Sequence, residues 1–107
     1  MINSIRSQSV LAAMVLLAGT MSFAQTSGEA TYKAKCQSCH GVTGMADTPM
    51  GKALKVKPVT DPSVKKFTTD AMVEATKNGM GKMLPYRGKL SDAEIKGAVD
   101  HFRSLMK

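Results

Sequence analysis

The chain has 107 residues, no tryptophan, and 15 lysines and arginines against 8 aspartates and glutamates, for a formal net charge of +7. At that length it holds one small domain whose apolar core alone is marginal, so some further group must add buried area. The basic residues are scattered from Lys33 to Lys89 rather than gathered in a run. That excludes a basic nucleic-acid-binding tail and leaves two readings, attraction to acidic faces or simple solubility.

The chain opens with Arg6, an apolar run from Val10 to Ala18, and small residues ending Ser22-Phe23-Ala24. This is the pattern of a secretory leader, with a run too short to span a bilayer. Cleavage is expected after Ala24, leaving residues 25–107 as one exported domain with no stable membrane insertion. No cysteine follows the leader and no twin arginine precedes the apolar run, which argues against a lipid anchor and for export of an unfolded chain.

Ser27 to Cys39 reads as a helix carrying Gly28, Tyr32, Cys36 and Cys39 on one stripe. Its end is the most informative stretch of the chain, Cys36-Gln37-Ser38-Cys39-His40. Two thiols one helical turn apart, followed at once by an imidazole, are spaced for covalent haem attachment. Both sulfurs can add to vinyl groups along one porphyrin edge, and a neutral His40 can bind the iron axially. Rival readings are weaker. A dithiol redox motif expects a surrounding βαβ pattern, a zinc site lacks a fourth ligand, and the plain alternative that remains is one structural disulfide in an exported protein.

From Gly41 to Pro62 the chain carries Gly41, Gly44, Pro49, Gly51, Pro58 and Pro62, enough breakers to predict one long wrapping loop. Asp61-Pro62 starts a short helix to Lys66. A further helix runs from Asp70 to Asn78, capped by Thr69 and stopped by Gly79. Ser91 to Glu94 is a capping-box pattern, and Ile95, Ala98, Val99, Phe102, Leu105 and Met106 gather within an arc of about 120°. Asp92 to Met106 is therefore an amphipathic helix. His101 lies beyond the edge of that arc and reads as a solvated surface histidine. No strand alternation or internal repeat occurs. The fold class is all-α, three to four helices with long loops around one covalent haem.

What fills the iron's sixth position decides between electron transfer and chemistry on small molecules. Met72 and Met106 lie in predicted helices and read as core packing. Met45 and Met50 stand close to His40 in sequence and would need a quick turn back. Met80 and Met83 sit in Gly79-Met80-Gly81-Lys82-Met83-Leu84-Pro85-Tyr86, a loop able to cross the distal face.

Taken together, the chain resembles the class I cytochromes c, in particular their small single-haem periplasmic members. The resemblance rests on Cys36 to His40, the Gly28 and Tyr32 pair before it, the Gly81 to Tyr86 segment and the Lys89-Leu90-Ser91-Asp92 lead into the last helix. It implies that Met83 is the second axial ligand, although Leu84 intervenes where the family usually has proline directly after the methionine. It implies that the first and last helices cross, with Gly28 allowing close approach near Tyr32 and Phe102. It also places Pro49 where a proline carbonyl often accepts the second ring N–H of the haem histidine, with Pro58 as a competitor.

The function expected is a periplasmic, monomeric one-electron carrier holding one haem c through Cys36 and Cys39, with His40 and Met83 on the iron. Its partners are redox proteins with acidic docking faces, and it is not an enzyme. A peroxidase or gas-binding protein would need an open sixth position, and a fixed subunit of a respiratory or dehydrogenase complex would share the haem chemistry but show a large exposed apolar patch.

Overall fold

The computed structural model describes residues 27–107; the expected leader and its cleavage site after Ala24 lie outside the described residues. Six helical segments follow in order: α1 Gly28–Lys35, α2 Gln37–His40, α3 Pro49–Ala53, α4 Pro62–Lys65, α5 Thr69–Asn78 and α6 Asp92–Ser104. Among the described residues there is no strand, only two isolated bridges, Met80 with Met83 and Arg87 with Leu90. The all-α class is as expected. The number of segments exceeds three to four because the first helix splits at Cys36 and a further single turn, α3, forms where Thr48 caps a start at Pro49.

Every helix start except that of α2 carries a side-chain cap. Side-chain oxygens of Ser27, Thr48, Asp61 and Thr68 accept the amides of Ala30, Gly51, Ser63 and Ala71, satisfying donors that the first turn leaves free. The Ser91–Glu94 capping box closes reciprocally, with Glu94 N–H donating to Ser91 Oγ at 3.1 Å and Ser91 N–H to Glu94 Oε1 at 3.0 Å.

The short helix α4 ends at Lys65 with Lys66 as its C-cap, one residue before the expected end, and the other boundary differences each have a local reason. The first helix breaks at Cys36, whose φ of −114° re-aims the chain between α1 and α2. The long loop contains α3, because Thr48 caps it and Pro49 supplies the preset φ of its first position. α5 is capped by Thr68 rather than Thr69. α6 ends at Ser104 rather than Met106, as the last amides, Leu105 and Met106, bond three residues back instead of four.

The architecture rests on two helix contacts. α5 and α6 close a core of Met72, Ile95 and Val99, with Val64, Phe67, Val73, Tyr86, Leu90, Phe102 and Met106 packed against it. Burial of side chains of this size is worth about 1.5–3 kcal/mol each. α1 crosses α6 backbone to backbone. A Cβ built on Gly28 would lie 2.5 Å from the Gly97 carbonyl carbon and closer still to its oxygen, so only hydrogen fits there. The expected crossing is present, and its partner is Gly97.

Candidate haem site

α1 delivers the cysteine-bearing turn at its C-terminal end. The Cys36 carbonyl accepts the amides of Cys39 at 3.2 Å and His40 at 2.9 Å, so the two thiols and the imidazole occupy one turn. Gly41, at φ 81°, ends it. The Tyr32 hydroxyl, buried within α1, donates to the Gly41 carbonyl at 2.6 Å and fastens the far side of the turn. Burial, reinforced by Cys36 and Asp47, pushes the Tyr32 phenol up to about 12, so it remains a donor.

The other flank is held by α3. The Thr48 hydroxyl donates to the Ser38 carbonyl at 2.6 Å while accepting the Gly51 amide at 2.9 Å, joining the end of α2 to the start of α3. Gly51 is buried so tightly against the Cys39 and Ala46 carbonyl oxygens that a Cβ would collide with both. Ala46, at φ 53°, returns its amide to the His40 carbonyl at 2.8 Å. Sequence reasoning missed Thr48, Gly51 and Gly97. Thr48-Pro49 was the available signal for α3, whereas a close backbone approach leaves no mark that separates its glycines from turn glycines.

The His40 ring meets Phe102 of α6 edge-on, with centroids 5.0 Å apart. Burial lowers its pKa, holding it as the neutral imidazole that binds metals. Its Nδ1 is buried without a hydrogen-bond partner. Pro49 opens α3, and its carbonyl makes no hydrogen bond to His40, so the contact expected of it is not among those formed. His101, expected in solvent, is instead half-buried, its ring centroid 4.9 Å from that of Tyr32. α6 therefore turns an imidazole, as well as Phe102, toward α1.

Both thiols are free and half-buried. Burial, with a smaller contribution from Cys39, pushes the Cys36 thiol up to about 11. A redox-active dithiol needs the opposite shift, toward thiolate at neutral pH. A thioether carries no charge and suits the same burial. Free thiols one turn apart, a neutral imidazole with an orphaned ring nitrogen, and an environment that disfavours thiolate together fit a covalently held haem.

The expected sixth-ligand segment leaves α5 at Gly79, φ 80°. Met80 and Met83 pair across a two-residue turn in which Gly81 takes φ 56°, with amide-to-carbonyl distances of 3.2 and 2.9 Å. Met83 is half-buried, while Met80 is 53% and Leu84 66% exposed. The Tyr86 hydroxyl then reaches across to the Lys35 carbonyl at 3.0 Å, beside Cys36. Its pKa is raised by burial and by Cys36 and Cys39, which reflects how near the segment comes to the thiols. Met72 sits in the core and Met106 packs against it, as expected, while Met45 and Met50 are exposed.

A helical shell built around a cysteine–cysteine–histidine turn of this kind defines a small c-type cytochrome. The family described as cytochrome c oxidase, cbb3-type, subunit III matches residues 23–102, and the chain belongs to this cytochrome c family. Among solved structures it is similar to the KustC0563 c-type cytochrome, with a TM-score of 0.68 and 29% identity over 76% of this chain and 99% of that one. No curated protein matches. Its cofactor is covalently bound haem c.

Proposed function

We propose that the protein is an exported, periplasmic one-electron carrier in which Cys36 and Cys39 hold the haem, His40 binds the iron on one side and Met83 on the other, and that it is not an enzyme. The observation that carries this reading is the single turn that presents two free thiols and a buried neutral imidazole together. Haem c supplies a ferrous–ferric couple that moves one electron at a time. The protein's part is to leave no position open to substrate. A thioether from Met83 favours the ferrous state relative to a second imidazole, and burial among apolar side chains pushes the same way.

The choice of Met83 over Met80 is supported by burial. Met83 is the half-buried member of the pair, while Met80 is exposed. Met83→Ala is expected to abolish the far-red methionine–iron absorption band, admit cyanide and lower the reduction potential, while Met80→Ala leaves the band in place. The reverse pattern transfers the ligand role to Met80.

Docking follows from the same segment. Exposed Met80 and Leu84 alternate along this segment with Lys82, Arg87 and Lys89, also exposed, so it offers apolar and basic side chains together. Such a surface suits brief contact with an acidic redox partner, where charge raises the encounter rate. A second reading, a fixed oxidase subunit, is favoured by the description of the matching family. Purification with or without a stable partner from its own membranes separates the two.

A further inference from the structure

The segment from Gly79 to Leu90 is fastened almost wholly to itself and to α5. Met80 and Met83 bond each other, Tyr86 N–H donates to the Thr76 carbonyl at 2.9 Å, and Arg87 N–H to that of Lys77 at 3.1 Å. The Arg87 guanidinium reaches Asn78 Oδ1 from Nε at 3.3 Å and Nη2 at 3.1 Å. Lys89 and Leu90 amides return to the Tyr86 carbonyl at 2.9 and 3.1 Å. Among the hydrogen bonds of the described residues, the one that carries this segment to α1 is Tyr86 Oη to the Lys35 carbonyl, spanning 51 positions of sequence.

Gly79, Gly81 and Gly88 all take positive φ, but only Gly79 is packed, its Cβ position lying 2.8 Å from the Met83 carbonyl oxygen. A Cβ on Gly81 or Gly88 would meet nothing within 4 Å, so packing does not hold those two points. Met83 lies between them. The Tyr86 ring joins the α5–α6 cluster while its hydroxyl faces the residue before Cys36. One side chain thus ties the methionine-bearing segment both to the core and to the turn that ends at His40.

We propose that Tyr86 is a positioning residue for the sixth ligand, its hydroxyl holding the Met83 segment at a fixed span from the Cys36–His40 turn and thereby limiting how often the thioether gives way to external ligands. The inference rests on Met83 being that ligand. Removing one neutral hydrogen bond of this kind raises the population of the opened segment about five-fold. The Lys35 carbonyl left behind can turn to water, so the fold is kept.

The test is cyanide association with the ferric holoprotein, read beside the far-red band and the unfolding midpoint, in Tyr86→Phe, Met83→Ala and Ile95→Val. Ile95→Val removes one methylene from the core cluster and serves as a purely structural perturbation. Tyr86→Phe is expected to retain the band and bind cyanide about five-fold faster, with Ile95→Val at the original rate and Met83→Ala fast and without the band. An unchanged rate in Tyr86→Phe beside a fast Met83→Ala overturns the positioning role and leaves the ligand assignment standing. An equal acceleration in Ile95→Val overturns it too, as general loosening. Retention of the band and the slow rate in Met83→Ala overturns the ligand assignment itself, and the proposal with it.

Discussion

Replacing either glycine at the α1–α6 crossing with alanine adds one methyl group, yet the structure separates the two changes sharply. A Cβ on Gly28 would stand 2.5 Å from the Gly97 carbonyl carbon, where ordinary contact begins at 3.4 Å, so the helices must part by about 1 Å. Overpacking of that kind costs about 1–3 kcal/mol, and a gap of 0.5–1 Å elsewhere in the interface forfeits a quarter to a half of its dispersion energy. Gly28→Ala is therefore expected to cost about 3 kcal/mol. On Gly97 the added Cβ would lie 3.1 Å from the Gly28 Cα, a misfit of a few tenths of an ångström. Alanine in the interior of α6 returns up to about 1 kcal/mol of helix propensity, so Gly97→Ala should fall within about 1 kcal/mol of neutral. Guanidinium chloride unfolding of the two holoproteins decides the matter. The Gly28→Ala midpoint should drop by about 1 M and that of Gly97→Ala should barely move. Equal shifts would refute the claim that the Gly28 side of this crossing has no room for a methyl group.

Two further outcomes follow from surface chemistry. The bimolecular electron-transfer rate with an acidic redox protein should fall as salt rises, because exposed charges act over about 10 Å at 0.1 M ionic strength. Charge reversal at Lys82 should slow it more than reversal at Lys107, and a salt-independent rate with both reversals neutral would return the lysines to a solubility role. Lys55 occupies φ 54° at the end of α3, in a motif where its amide bonds the Lys52 carbonyl and that of Val56 bonds Gly51. Lys55→Gly should raise stability by about 1 kcal/mol in thermal unfolding, since glycine takes that conformation without strain. A loss of stability would show that the lysine side chain is held by contacts that outweigh the strain.

Much of this molecule was legible in the sequence because its signals are local. The Cys36–His40 spacing, the Ser91–Glu94 box, the Asp61-Pro62 start and the Gly79 stop each depend on residues within a turn of one another, and each appears where expected. What escaped was long-range or ambiguous. Gly97 has no property in the sequence that marks it as the partner of Gly28, because close approach depends on how two distant helices cross. The glycines and prolines between Gly41 and Pro62 pointed to loop, yet Thr48 and Pro49 use the same residue types to start a helix. His101 was misplaced because a helical wheel describes one apolar arc, whereas α6 has two neighbours and turns His101 toward Tyr32 on α1. The Tyr86 to Lys35 hydrogen bond joins residues far apart in sequence, and no spacing rule reaches that distance.

The central claim is a haem whose iron is closed on both sides by this chain's own residues. Exposure of the reduced holoprotein to carbon monoxide, followed in the visible spectrum, tests it most directly. With His40 and Met83 both bound, the spectrum should be unchanged over the time of mixing, and the same sample should titrate reversibly as a single one-electron couple. Rapid formation of a carbon monoxide complex by the unmodified protein would show an open sixth position and contradict the electron-carrier account.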